Sequence, residues 1–240
     1  MKDIAQECGV STATVSYVLN DVPNQSISAQ TRKRILHVAN MVGYVSSASA
    51  RALATGKTNH FGVYVPHMGN SAHKQRTLQA LAEEAEKAGY HLVLLTGSCL
   101  KSQVTNVDAV FAIDISEEEF AILGDNSFVP LLYLDGQTDN DLFYCVTFDA
   151  MKLRQQAMER TARPKVVLVW EEVHCRAYGA YLRTCFDAVV DPDTAISFDA
   201  DVAVLTAPEL DYAAYAKAAV AAALKAIARD ETPTDHHIRV

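Results

Sequence analysis

The chain has no CxxC pair. Its five cysteines, Cys8, Cys99, Cys145, Cys175 and Cys185, are odd in number and scattered, the usage expected of reduced thiols in a cytosolic protein. No run of eighteen apolar residues occurs, and no basic-then-apolar leader opens the chain, so neither export nor a membrane span is expected. GxSxG, HExxH, P-loop and GxGxxG signatures are all missing. With no nucleophile–base–orienter set in sight, no enzyme activity, catalytic residue, metal or cofactor is expected. Positive charge is also short: 21 Lys and Arg face 29 Asp and Glu, for a net charge of −8. Taken whole, that balance argues against nucleic acid.

Its distribution reverses the conclusion. Residues 1–60 hold six Lys or Arg and three acids, a net +3, while the remaining 180 residues hold 15 and 26, a net −11. A basic head on an acidic body fits a DNA-contacting module whose other domain stays off the phosphates. At 240 residues with half of them hydrophobic, the chain is long enough for a small headpiece and a globular body with its own core.

Ile4, Ala5 and Cys8 share one helical face, and Gly9 is placed to end that helix because a left-handed backbone costs glycine little. Ser11 is a good N-cap for a second helix running to Leu19, with Val15, Val18 and Leu19 inward. Its outward residues, Thr12, Ala13, Ser16, Tyr17 and Asn20, are short and polar or methyl-bearing, suited to base edges and phosphates. Ser28 then caps a third helix over 29–42, whose packing face is Ile35, Leu36, Val38, Ala39 and Val42, with Arg32, Lys33 and Arg34 exposed. On these residues alone, an ordinary three-helix bundle with solvated charges stays open beside a DNA reader.

The combination is more specific. GVSTATVSYVLN, followed by ISAQTRKRIL, VGY and ARALATG, closely resembles the headpiece of the lactose/galactose-repressor (LacI/GalR) family. The resemblance is strong over 1–65 and weaker beyond. It implies that Thr12 and Ala13 set base specificity, that Ser16 and Asn20 contact backbone or neighbouring base edges beside the cap at Ser11, and that Thr31 and Tyr44 contact phosphates. Tyr17 stands where many members carry a guanine-reading Arg; a phenol lacks the bidentate fork. Residues 47–55 match the family's hinge helix, with Leu53 as an apolar wedge in the minor groove and Ala50 and Ala54 small enough for two hinge helices to approach. Leu53 as an ordinary buried leucine is the plainer alternative. Two departures accompany the match. The chain opens Met1-Lys2-Asp3 without the usual Ser or Thr cap, so helix one is poorly capped or the true start lies upstream, and Ser46-Ser47 replaces the usual Pro-Asn at the hinge entry.

From residue 59 strands and helices alternate. Apolar strands are expected at 61–66, 91–96, 107–113, 129–135, 145–149 and 165–170, with helices at 73–90, at SEEEFAIL, at 150–161 and at 176–190. Such repetition argues for parallel α/β sheets, and the order resembles the family's periplasmic-binding-protein-like sensor, two α/β subdomains about a small-molecule cleft, with the chain crossing between them near 135–149. Ligands in such sheets bind beyond the carboxyl ends of strands, which selects the loops after Val65, Ile113, Leu134 and Trp170. The candidates there are His67, Asn70, His73 and Asp135. By resemblance Arg176 and Asp199 join them, the latter in Phe198-Asp199. Each has a plainer reading: surface histidines, an Arg paired with Glu171 or Glu172, and a turn aspartate. Between the helix at 176–190 and a strand at 202–206, the family's further strand–helix–strand–helix stretch is reduced to DPDTAISFDAD, so the second subdomain is truncated.

The expected organisation is a helix-turn-helix headpiece at 1–45, a hinge and linker at 46–58, and an effector and dimerisation domain at 59–240. The expected function is a DNA-binding repressor that acts as a homodimer on a near-palindromic operator and answers to a sugar-like effector. A regulator that has lost sugar sensing, constitutive or controlled by a protein partner, is the alternative.

Overall fold

The structure, a computed structural model, describes all residues except 21, 23, 43–55, 193–198, 200 and 231–234. It divides into two compact units, Met1–Thr58 and Asn59–Val240, each with its own core.

In the first unit, α1 (Lys2–Cys8), α2 (Thr12–Leu19) and α3 (Ala29–Met41) pack around Ile4, Ala5, Cys8, Val15, Val18, Ile35 and Ala39. Gly9 ends α1 at φ 61°, its amide bonding back to the helix carbonyls, a conformation that costs a Cβ-bearing residue strain. Met1 gives α1 no side-chain cap. The expected packing face of α3 needs correction: Leu36 and Val42 are 43% and 56% exposed. At 100° per residue the buried stripe runs Ile35–Val38–Ala39, and Leu36 falls one step off it.

The second unit holds two parallel sheets. Five strands in sequence, β1 (His60–Tyr64), β2 (His91–Leu95), β3 (Ala109–Ile113), β4 (Leu131–Leu134) and β5 (Tyr144–Thr147), join β9 (His237–Arg239) in the order β2-β1-β3-β4-β5-β9. Every residue of β3 and β4 is buried, as a parallel sheet covered on both faces requires. Helices α4 (Ala72–Lys87) and α5 (Glu117–Asn126) make the first crossovers. The chain then leaves through α6 (Ala150–Thr161) to a three-stranded sheet ordered β7-β6-β8, built from β6 (Lys165–Val169), β7 (Ala188–Val190) and β8 (Val202–Thr206), with α7 (Arg176–Cys185) between β6 and β7. It returns through α8 (Tyr212–Ile227), which packs against α4 and the first sheet.

Two boundaries differ from expectation. The helix expected over 176–190 stops at Cys185, and 188–190 pair with β6 as a strand; the apolar AVV run continues the helical pattern in sequence, and only the open edge of β6 decides otherwise. The crossing falls at the far end of the expected interval, because β5 still pairs with β4. Among the described residues the second sheet has three strands against six in the first.

Separate cores imply separable stabilities. Ile35 is fully buried in the head, so Ile35→Ala should cost the head about 2–5 kcal/mol and leave the body's melting unchanged. Amide exchange resolved by residue checks this: loss of protection in α1–α3 alone is expected.

Candidate functional site

The head presents one polar face. Ser11 caps α2, its side-chain oxygen accepting from the Thr14 amide at 3.0 Å. With Val15 and Val18 buried, the opposite face carries Thr12, Ala13, Ser16, Tyr17 and Asn20, spaced so that i and i+4 side chains adjoin. Thr12, Ala13 and Asn20 are exposed and Tyr17 is 40% exposed. Asn20 Nδ2 donates to Ser16 Oγ at 3.2 Å, which fixes that end of the face. Ser28 caps α3, accepting from the Thr31 amide at 3.1 Å, and its hydroxyl lies 2.8 Å from the Thr31 hydroxyl. Arg34 donates to the Glu7 carbonyl at 3.0 Å, tying α3 to α1. The other expected contact residues, Tyr44, Ala50, Leu53 and Ala54, lie outside the described residues, as does the hinge at 47–55.

The body holds a cleft of about 240 Å³ lined by His67, Asn70, Ser71 and Lys74 from the loop after β1 and the start of α4, and by Glu171, Glu172, His174 and Asp191 from the loops after β6 and β7. It opens beyond the carboxyl ends of the strands, beside the β1/β3 point where strand order reverses in the larger sheet.

Charge in the cleft is organised around a buried ion pair. Lys74 is 4% exposed; its Nζ lies 2.7 Å from Asp114 Oδ2 and donates to the His67 carbonyl at 2.6 Å. Asp114 also accepts from the His174 amide at 2.8 Å, and its Oδ2 lies 3.0 Å from His174 Nδ1. Asp114 sits at φ 46°, a left-handed turn that aspartate tolerates better than most residues. The His67 and His174 rings stack across the cleft at 3.8 Å. Glu171 receives the Ser71 hydroxyl and the Ala72 amide, the latter at 3.1 Å. Glu117 accepts the Ala177 amide at 3.0 Å. Burial works to raise the Glu117 carboxyl, but the amide donors, the Arg176 guanidinium and the Cys175 thiol outweigh it and hold the group below its ordinary range.

The expected effector residues are only partly assembled here. His67 and Asn70 line the cleft. His73 and Asp135 do come together, 2.7 Å apart, but in the core. His73 Nδ1 lies 2.9 Å from the Tyr212 hydroxyl, and Asp135 accepts from Tyr215. Their polar side-chain atoms are partnered by each other and by Tyr212 and Tyr215 of α8, and the His73 ring lies 4.2 Å from Trp170, so they sit in the core and do not face the cleft. This corrects their expected role. Arg176 is not among the cleft's lining residues; its side chain is 82% exposed, 3.6 Å from Glu117. Asp199 is exposed, its carbonyl accepting from Val202, and Phe198 lies outside the described residues. The residues that sequence reasoning passed over, Lys74, Asp114, Glu171 and His174, sit in or next to the loops it selected; the signal available was their place directly after β1, β3 and β6.

All five cysteines are free and buried. Burial raises Cys99 and pushes Cys145 up to about 11, which disfavours the nucleophilic thiolate. Among the described residues no group of His, Cys, Asp or Glu could hold a metal ion, and no helix is long and apolar enough to cross a membrane.

A helix-turn-helix head is joined in one chain to a body of two parallel sheets with a periplasmic-binding-protein-like fold. Residues 1–47 match the family profile described as bacterial regulatory proteins, lacI family, so the head carries that family's domain. The regulator AglR of Rhizobium meliloti is 34% identical over 122 residues, which cover 46% of this chain and 34% of that protein. The chain spans about half the length, or less, of the curated relatives it matches. Among solved structures, the lac repressor dimer bound to operator and an anti-inducer superposes with a TM-score of 0.67 at 15% identity, covering 99% of this chain and 95% of that one. A periplasmic binding protein/LacI regulator of Alkaliphilus metalliredigens, complexed with D-xylulofuranose, gives 0.50 at 12% identity over 75% and 95%. Both likenesses concern the fold.

Two outcomes test the site. Asp114→Asn leaves the Lys74 ammonium buried without its carboxylate and should destabilise the body by about 3–5 kcal/mol, read by denaturant unfolding. A Glu117 carboxyl lowered in the folded state stabilises the fold fully above the ordinary carboxylate range, and that contribution disappears as pH falls through the lowered value. Glu117→Gln should therefore flatten the acid limb of a stability–pH curve without steepening it.

Proposed function

We propose that the chain is a transcriptional repressor that binds a near-palindromic operator as a homodimer and is modulated by a small polar effector, a sugar or related metabolite, in the cleft of its body. The carrying observation is the exposed polar face of α2 on a lacI-family domain. Thr12 and Ala13 read base edges at the start of α2, Tyr17 reads with a single hydroxyl, Ser11, Ser16 and Asn20 contact backbone or flanking bases, and Thr31 and Tyr44 contact phosphates. Leu53 acts as the minor-groove wedge, flanked by Ala50 and Ala54. One head covers one half-site, so a two-fold dimer reads both. The edge strand β2 supports dimerisation, since Leu94 is 67% exposed and Val93 is exposed beside it, an apolar edge that a monomer would blunt. This role places the protein in the cytoplasm. His67 and Asn70 meet the effector.

A second reading is favoured by the three-stranded second sheet and by a cleft across which Glu171 is already bonded: a regulator that no longer senses sugars and is constitutive or answers to a protein partner.

Selection of bound DNA from a random pool tests the reading. A palindrome is expected, and recovery of single unpaired half-sites would sink the dimer. Leu53→Ala should weaken selected-site binding while leaving non-specific binding and its salt slope nearly unchanged; equal loss of both would contradict the wedge. Saturable heat from a sugar that also weakens operator binding would eliminate the second reading.

A further inference from the structure

We propose that Glu171 is an intramolecular ligand for the N-terminus of α4, and that with two further carboxylate ties it forms a latch that holds the two subdomains of the body together across the cleft.

Glu171 follows β6 in the smaller subdomain. Ser71 and Ala72 begin α4 in the larger one. Both Glu171 oxygens are used: Oε1 accepts the Ala72 amide at 3.1 Å, and Oε2 accepts the Ser71 hydroxyl. Ser71 Oγ meanwhile accepts from the Lys74 amide at 3.0 Å, so the cap is doubly committed. An unbonded amide and a helix dipole are what such a helix end offers to an anion, and here the protein's own carboxylate occupies that place.

Two more carboxylates cross in the opposite direction. Asp114, after β3, takes both the amide and the ring of His174. Glu117, at the first turn of α5, takes the Ala177 amide at the first turn of α7. Lys74 holds Asp114 from behind at 2.7 Å, and the stacked imidazoles of His67 and His174 close the space between. Each tie has its acceptor on one subdomain and its donor on the other, so opening the cleft breaks all three together. Among the described residues Lys74 is the only Lys or Arg lining the cleft, and it is already committed to Asp114 and the His67 carbonyl. A ligand that takes the start of α4 must therefore displace Glu171 from the Ala72 amide and the Ser71 hydroxyl. Effector action in the proposed regulator then consists of undoing a contact that the chain makes with itself.

The chain carries its own reporter. Trp170, the single tryptophan, precedes Glu171 and is buried against His73. On the full chain, acrylamide quenching of Trp170 and small-angle scattering are measured for wild type, Glu171→Gln, Glu171→Ala and Ser71→Ala. Loss of charged hydrogen bonds should raise the open population by about tenfold or more, seen as faster quenching and a larger radius of gyration. Combining Ser71→Ala with Glu171→Ala should give less than the sum of the two single effects, because they share one tie, while Ser71→Ala keeps the separate cost of the lost α4 cap. Glu171→Gln, nearly the same shape, controls for folding by its circular dichroism. Unaltered quenching and dimensions in a folded Glu171→Gln and Glu171→Ala would overturn the latch, as would full additivity with Ser71→Ala. The latch is read without DNA, so it stands or falls apart from the regulatory reading it refines. Opening of the cleft with unchanged affinity for the selected operator would uphold the latch and count against the sensor role.

Discussion

The buried pair of Lys74 and Asp114 is the constraint on which the body's architecture turns. Two ions at 4% exposure each are stable only if their remaining hydrogen-bonding capacity is met. Lys74 meets its share with the His67 carbonyl, and Asp114 with the backbone and ring of His174. Satisfying one ion pair thus fixes the loop after β1, the start of α4, the end of β3 and the loop after β6. Three of those segments, the loop after β1, the start of α4 and the loop after β6, line the cleft. The left-handed backbone at Asp114 is held there by bonds that compensate its strain.

A second buried network sits just behind. Asp135, also left-handed at φ 54°, binds His73, Tyr215 and, through its amide, the Val146 carbonyl. Burial pushes the Tyr215 hydroxyl well above its ordinary value, with Asp135 adding to the effect, so that tyrosine stays a neutral donor to the carboxylate. Because α8 supplies Tyr212 and Tyr215, the long return helix is tied to both β4 and α4. The two networks differ in place: one is sealed in the core, while the other borders the cleft.

Much of the architecture was legible because it follows from local rules. The caps at Ser11 and Ser28, the stop at Gly9 and the strand–helix alternation all depend on residues within a few positions of each other. Helix 150–161 coincides with its expected bounds for the same reason. The expectation failed where a decision was made at a distance. The strand at 188–190 needs the free edge of β6, and the exposure of Leu36 depends on which side of α3 meets α1 and α2. His73 looked like a cleft residue because its loop was right, yet its ring turns inward to Asp135, 62 positions away.

The sequence by itself determined the head: its capping serines, its inward valines and its polar outward face are set by helical periodicity, and they fall within the family match over 1–47. It also determined the class of the body, since buried apolar strands alternating with helices leave little but parallel sheets. Only the tertiary structure decided which polar residues of the body share a cleft. Lys74, Asp114 and His174 are separated by up to 100 positions in the chain and carry no motif between them. They meet because parallel strands deliver their carboxyl ends to one side of the sheet, where a buried charge must find its partner or not be buried at all.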